Sequence, residues 1–228
     1  MTQIPPTPVV SIVDQGVIAN ANQVNYGYCA LADLKADLSI PAADTTRDTA
    51  LNLAITAASR AIDHVAHRSF YMLEQPTVRL FYAESYWELL LRGNDIATTA
   101  NLLLQTDSSD TGTFDQTWVN GTDYILEPYN GLSNGEPWPY TRIRCISNSL
   151  LFPIWGRRPR VQITAHWGWP AIPAPIEQAC RLWAARIFKR REAPFGVISV
   201  GEFGPLRLQS DPDIDELIVP YMLAEGFA

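Results

Sequence analysis

The sequence predicts an α+β protein in which both chain ends build a helical domain and an antiparallel β domain is inserted between them. Two apolar stripes of helical period, Leu51 to Val65 and Ile176 to Ile187, flank residues 71–170, where β-branched and aromatic runs are broken by turn residues. At 228 residues the chain can bury a substantial core, either as one large domain or as a helical domain with a sizeable insertion.

Residues 1–27 are nearly uncharged, rich in asparagine and glutamine, and headed by Pro5, Pro6 and Pro8. Without a sustained period they read as an extended arm that orders on a partner or simply frays. The first part of the helical domain covers 28–70. Leu31, Leu34 and Leu38 predict a short helix from Ala30 to Leu38, stopped by Pro41, which pushes the preceding residue out of the helical region. A longer helix starts at a cap, Asp44 or Thr45, and carries Leu51, Ala54, Ile55, Ala58, Ile62 and Val65 at spacings of three and four, ending near Arg68.

Six strands are expected in the insertion: Thr77–Tyr82, Trp87–Leu91, Asn101–Thr106, Thr122–Glu127, Thr141–Ile146 and Arg160–Trp167. Turn chemistry separates them at 92–95, 107–112, 120–121 and 130–139. In the last strand Arg160, Gln162, Thr164 and His166 alternate with Val161, Ile163, Ala165 and Trp167, the pattern of a half-buried strand.

Residues 171–194 return to the helical domain. Pro175 suits a first turn, Ile176, Ala179, Cys180, Trp183, Ala184 and Ile187 form one face, and Lys189, Arg190 and Arg191 complement the dipole at the far end. Leu182 and Phe188 lie off that face, so the helix is apolar on more than one side and a second contact is expected. Leu182, Trp183, Phe188, Arg190 and Arg191 are its candidate residues. Residues 195–228 predict a hairpin-like extension bending at Gly196 and Gly201. A short helix then starts near Asp211 or Asp213, presents Ile214, Leu217, Ile218, Tyr221 and Met222, and is kinked or ended by Pro220.

Composition narrows the function. A formal charge of −7 and a pI near 4.9 argue against a protein that grips nucleic acid, which needs a basic face to release phosphate counterions. An acidic channel wall would instead let a duplex slide past. Cys29, Cys145 and Cys180 are far apart without paired spacing, so they suggest neither a disulfide framework nor a zinc site. The amino terminus lacks a signal-peptide pattern and no apolar run is long enough to span a bilayer, so a soluble, reducing compartment is expected.

Chemical motifs are sparse. His64 and His67, beside Asp63, share a helical face, but metal sites need three or four converging ligands, and histidines also suit a helix end. His166 stands among Trp155, Trp167 and Trp169, a density that suggests a sugar-binding or base-stacking platform, or ordinary core and interface anchors. No nucleophile elbow, phosphate-binding glycine loop or motif-placed carboxylate pair is present. Neither catalysis, a metal nor a cofactor is expected.

Four stretches carry a resemblance: YCALADLKADL (28–38), ITAASRAIDHVAHRSFY (55–71), WGWPAIPAPIEQACRLWAARIFKRREAPFG (167–196) and DPDIDELIVPY (211–221). Together, and in this order around a β insertion, they resemble the head-tail connector (adaptor) family of long-tailed bacteriophages, the gp6-like or gp15-like group. They cover the helical shell, somewhat under half of the chain; the arm and the β part match only as an extension and a large insertion.

The resemblance implies a structural, non-enzymatic subunit of the virion neck, made in the host bacterial cytoplasm. It implies a dodecameric ring docked on the portal protein, with the next connector, a stopper or a tail terminator on its far side. DNA would pass through without specific binding and no membrane would be involved. In that family the C-terminal segment reaches the portal, which here points to Phe203, Leu206, Leu208, Leu217, Ile218 and Tyr221. Arg157, Arg158 and Arg160 become candidates for the channel wall, with a solvated loop or an intersubunit ion pair as the competing readings. Apolar helical surface left over after folding would drive the ring, at about 25 cal/mol per Å² buried. Three other readings remain open: another neck or tail component such as a stopper or tail-completion protein, a carbohydrate-binding module built on Trp155 and Trp169, and a hydrolase.

Overall fold

The computed structural model of the protein describes residues 27–192 and 212–223. The expected arm, apart from Gly27, and the hairpin-like extension with Phe203, Leu206 and Leu208 lie outside the described residues. The fold is α+β: among the described residues, α1 (Leu31–Asp37) and α2 (Asp48–Ala66) precede nine strands, and α3 (Ala174–Glu192) and α4 (Pro212–Ile218) follow them.

The start of α2 differs from expectation. Asp44 accepts a hydrogen bond from the Thr46 N–H at 3.0 Å, closing a turn ahead of the helix. The helix begins only after Arg47, whose side chain makes no cap bond. Buried Lys35 sets this boundary, because its ammonium pairs with Asp48 in the first turn and donates to the Asp44 carbonyl at 2.9 Å. A desolvated ammonium needs such partners, so α1 and α2 are clamped together where the sequence offers only a generic cap.

The strands are β1 (Thr77–Phe81), β2 (Glu88–Leu90), β3 (Ile96–Thr106), β4 (Gln116–Trp118), β5 (Tyr124–Glu127), β6 (Leu132–Ser133), β7 (Glu136–Pro137), β8 (Arg142–Cys145) and β9 (Val161–Trp167). They form antiparallel sheets in the orders β1-β9-β3-β4 and β2-β8-β5, with β6 and β7 as a separate small hairpin. Strand β3 starts five residues earlier than the predicted Asn101, and its register against β9 shifts between Thr98 and Leu103, with Asn101 at φ 54°. That irregularity hides the alternation a sequence search relies on. Both larger sheets contribute to one apolar core, including Leu89, Leu104, Leu126, Ile143 and Ile163, in which Trp118 stacks on Phe152 at 4.7 Å.

A second core lies among the helices. Leu51, Ile55, Ala58 and Ile62 of α2 meet Ile176, Ala179, Cys180 and Ala184 of α3, and the small residues allow close approach. Tyr28 anchors the chain there: its N–H donates to Ser59 Oγ at 3.0 Å, its hydroxyl accepts from the Phe70 N–H at 2.8 Å and donates to Asp63. Cys29 and Cys180, unrelated in sequence, come within 3.5 Å as free thiols.

The surplus apolar surface of α3 is covered in part inside the protomer. α4 and the turn after it pack on α3, so Phe188 (4% exposed) and Ile218 (0%) belong to the helical core, with Leu182, Trp183, Leu217 and Tyr221 half-buried against it. Phe188 and Ile218 have no surface to offer a neighbour, because α3 is flanked by α1, α2 and α4 together.

Both cores hold a tyrosine whose ionisation opposes folding. Burial, then the Asp63 charge, pushes the Tyr28 hydroxyl well above its ordinary value; burial, then Asp123, raises Tyr124 to about 12. Since the folded state holds these protons more tightly, the stability they contribute is complete below an ordinary tyrosine pKa of about 10 and is lost as pH rises through the raised values. Melting temperature is therefore expected to fall steeply between about pH 10 and 12. Tyr124→Phe should flatten the curve by roughly 2 kcal/mol over that interval; an unchanged slope would contradict this.

Candidate interaction surfaces

The helical and β parts meet at a joint built from Arg68, just past α2, and Asp95, just before β3. The two side chains are buried and 3.5 Å apart, with the guanidinium 5.7 Å from the Trp169 ring. Desolvation pushes the Asp95 carboxyl above the usual carboxylate range and lowers Arg68, each against the pull of its partner. Asp95 is held by the Arg68 charge and, beside it, by the Trp169 indole. The Gly168 N–H donates to the Asp95 carbonyl at 2.7 Å, and the Leu223 N–H to the Ala66 carbonyl at 3.1 Å, which brings the end of the described chain over the joint. A cavity of about 240 Å³ opens here, lined by Arg68, Asp95, Trp138, Arg142, Met222 and Leu223 among others. Its lining offers the cations Arg68, Arg92 and Arg142, the Asp95 carboxylate and the Thr141 hydroxyl.

Two of the three candidate channel arginines hold a loop. Arg160 donates to the Asp107 carbonyl at 2.8 Å and to the Trp155 carbonyl at 2.6 Å, and Arg158 reaches the Thr111 carbonyl at 3.4 Å. Arg157 is exposed. At the centre of this loop the Asp107 carboxylate accepts the N–H groups of Ser109, Thr111 and Gly112. Desolvation opposes its charge, yet those three donors hold its pKa below the usual range. Asp107→Ala should cost about 1–3 kcal/mol and make residues 107–115 protease-sensitive; a loop as resistant as the parent's would show that Arg158 and Arg160 suffice.

The remaining candidate residues are scattered. Lys189 and Arg190 are exposed at the end of α3, and the Arg191 side chain lies outside the described atoms. Trp155 is 74% exposed and donates to the Tyr86 hydroxyl at 3.1 Å, whereas Trp169 is enclosed in the helical core. The sugar platform expected from both indoles is therefore not assembled. His64 and His67 have ring centroids 6.4 Å apart, and no group of three potential metal ligands occurs among the described residues. His166 of β9 links β3 to the segment ahead of β1, its Nδ1 3.0 Å from the Leu73 carbonyl and its Nε2 3.3 Å from the Asn101 amide. Among the described residues no helix is long and apolar enough to cross a membrane.

No protein-family model matches the chain, and no curated protein matches it. Solved structures do resemble it in fold. A chain from the neck of an empty gene transfer agent (GTA) particle, computed with C6 symmetry, aligns with a TM-score of 0.51 and 18% identity over 86% of this chain and 92% of that one. A chain from the virion of the native gene transfer agent particle aligns with a TM-score of 0.52 and 19% identity over the same shares.

Proposed function

We propose that the protein is a structural subunit of the neck of a tailed, phage-like particle, and within the neck an adaptor of the gp6-like or gp15-like kind. The observation that carries this is the extent of the fold likeness to a neck chain: 86% coverage has to include most of residues 71–170 as well as the helices. The β part therefore belongs to the likeness, although the sequence resemblance rests on the helical shell alone. In this reading the protein forms a ring, docks on the portal protein, continues the DNA channel, and offers its far side to the next connector or the tail. The C6 symmetry of the similar neck supports a copy number that is a multiple of six, and we take it as twelve.

Phe188 is covered within the protomer, so the apolar helical surface that α3 has left for a ring contact is the half-buried Leu182 and Trp183. Portal docking falls to the segment with Phe203, Leu206 and Leu208 and to half-buried Leu217 and Tyr221, and Arg157 is the channel candidate of its cluster. Net acidity favours passage of DNA over its capture.

Particles assembled without the protein are expected to yield DNA-filled heads that lack tails, and a reconstruction of complete necks should contain twelve copies between portal and tail. Complete particles from which the chain is absent would overturn the proposal. Cross-links from this chain to tail proteins alone, never to the portal, would make it a stopper or tail-completion protein instead.

A further inference from the structure

Strand β1 lies at the edge of its sheet, paired to β9 on one side and to no described strand on the other. Its side chains are placed against hydropathy. Arg79 turns inward, 4.5 Å from the Trp167 ring and bonded to Asn94 Oδ1 at 2.8 Å, while Val78 and Leu80 point outward at 54% and 47% exposure. Cross-strand rows extend this outer face: Val78, Thr164 and Leu103, then Leu80, Gln162, Gln105 and Thr117. No charge occurs in either row.

Free edges are normally guarded by a charge, a proline or a bulge. The only charged residue of β1 is engaged below the sheet, and Pro76 precedes the strand. An uncharged edge beside an uncharged face is a template for an added strand, whose backbone supplies affinity and whose alternate side chains supply specificity. The chain contains a matching segment. Val9-Val10-Ser11-Ile12-Val13 is uncharged, four of its five residues are β-branched aliphatics, and Pro8 precedes it. Its length equals that of β1. Residues 14–27 connect it to the Tyr28 anchor and can span roughly 45 Å when extended.

We propose that residues 9–13 of one copy add as a strand to the open edge of β1 in the next copy, so that each protomer gives one strap and receives one around the ring. This rests on the ring reading above. Such a head-to-tail contact closes when the rotation closes, and it needs no apolar helix surface.

The test uses Tyr82→Cys, exposed one residue beyond β1, in a Cys29→Ala background, labelled with a benzophenone. Isotopically light and heavy protein are mixed equally before assembly onto neckless heads, and cross-linked peptides are mapped by mass spectrometry. Cross-links to residues 1–16, about half of them joining light to heavy chains, are expected. Cross-links to 1–16 within single chains only, or to other segments, overturn the strap while leaving the ring reading intact. If the unlabelled chain never enters a ring, the ring reading fails and the strap with it. As a second measurement, Val78→Lys with Leu80→Lys, both exposed, should leave the protomer's melting temperature unchanged and weaken subunit association at least tenfold; unchanged association overturns the strap.

Discussion

Gly168→Ala is expected to destabilise the protein by about 4 kcal/mol or more, enough to lose soluble protein in a domain of ordinary stability. Gly168 sits at φ +109°, and a Cβ there would lie 1.7 Å from the Tyr71 carbonyl oxygen, 2.8 Å from its carbon and 3.3 Å from Met72 Cα. All three atoms are backbone, so no side-chain rotation relieves the collision. The strand β9 and the crossing from α2 into the β region would have to separate, opening the joint that carries Arg68, Asp95 and Trp169. Gly121→Ala is the control. Its φ of +82° imposes conformational strain alone, with nothing within 4 Å of the added atom, and should cost only about 1–2 kcal/mol. Denaturant midpoints compare the two, and equal losses would show that strain, not collision, governs Gly168.

Removing one member of the buried pair should be nearly as damaging. Arg68→Ala or Asp95→Ala leaves a desolvated charge without its counterion, a loss of about 3–5 kcal/mol. The double change Arg68→Met with Asp95→Leu replaces both by apolar groups and should return stability to near the parent value, measured by chemical denaturation. A double variant as unstable as either single one would show that the pair is needed for more than mutual neutralisation. The pH dependence of Arg68→Ala gives a second check. Burial already raises the Asp95 pKa, and loss of the cation raises it further. A carboxyl whose folded pKa is raised contributes stability that is complete below the ordinary carboxylate value and lost as pH rises through the raised one. The deficit of Arg68→Ala should therefore grow as pH is raised from mildly acidic to mildly alkaline.

Legibility tracked the regularity and length of each element. The stripe of α2 and the alternation of β9 were visible because both faces repeat over several turns or pairs. Strand β4 has three residues and β6 and β7 two each, too few for any period, and 130–139 read as a turn where it holds a hairpin. The cap of α2 was misplaced because Lys35, on another helix, sets the helix start. The candidate site was less legible still. Arg157, Arg158 and Arg160 looked like one basic cluster until backbone carbonyls took up two of them, and Trp155 and Trp169 looked like one platform until the fold buried one indole.

Local pattern by itself determined that this chain is α+β and where its longer helices and strands fall. It did so because periods of 3.6 and 2 are written in consecutive residues. Only the tertiary structure decided which surfaces remain for partners: α3, apolar on two sides, buries Phe188 and leaves Leu182 and Trp183 half-covered, while β1 turns its arginine inward and its valine and leucine out. Those outcomes depend on contacts between residues distant in sequence, such as Arg79 with Trp167 and Phe188 with the helical core, and no local pattern records them.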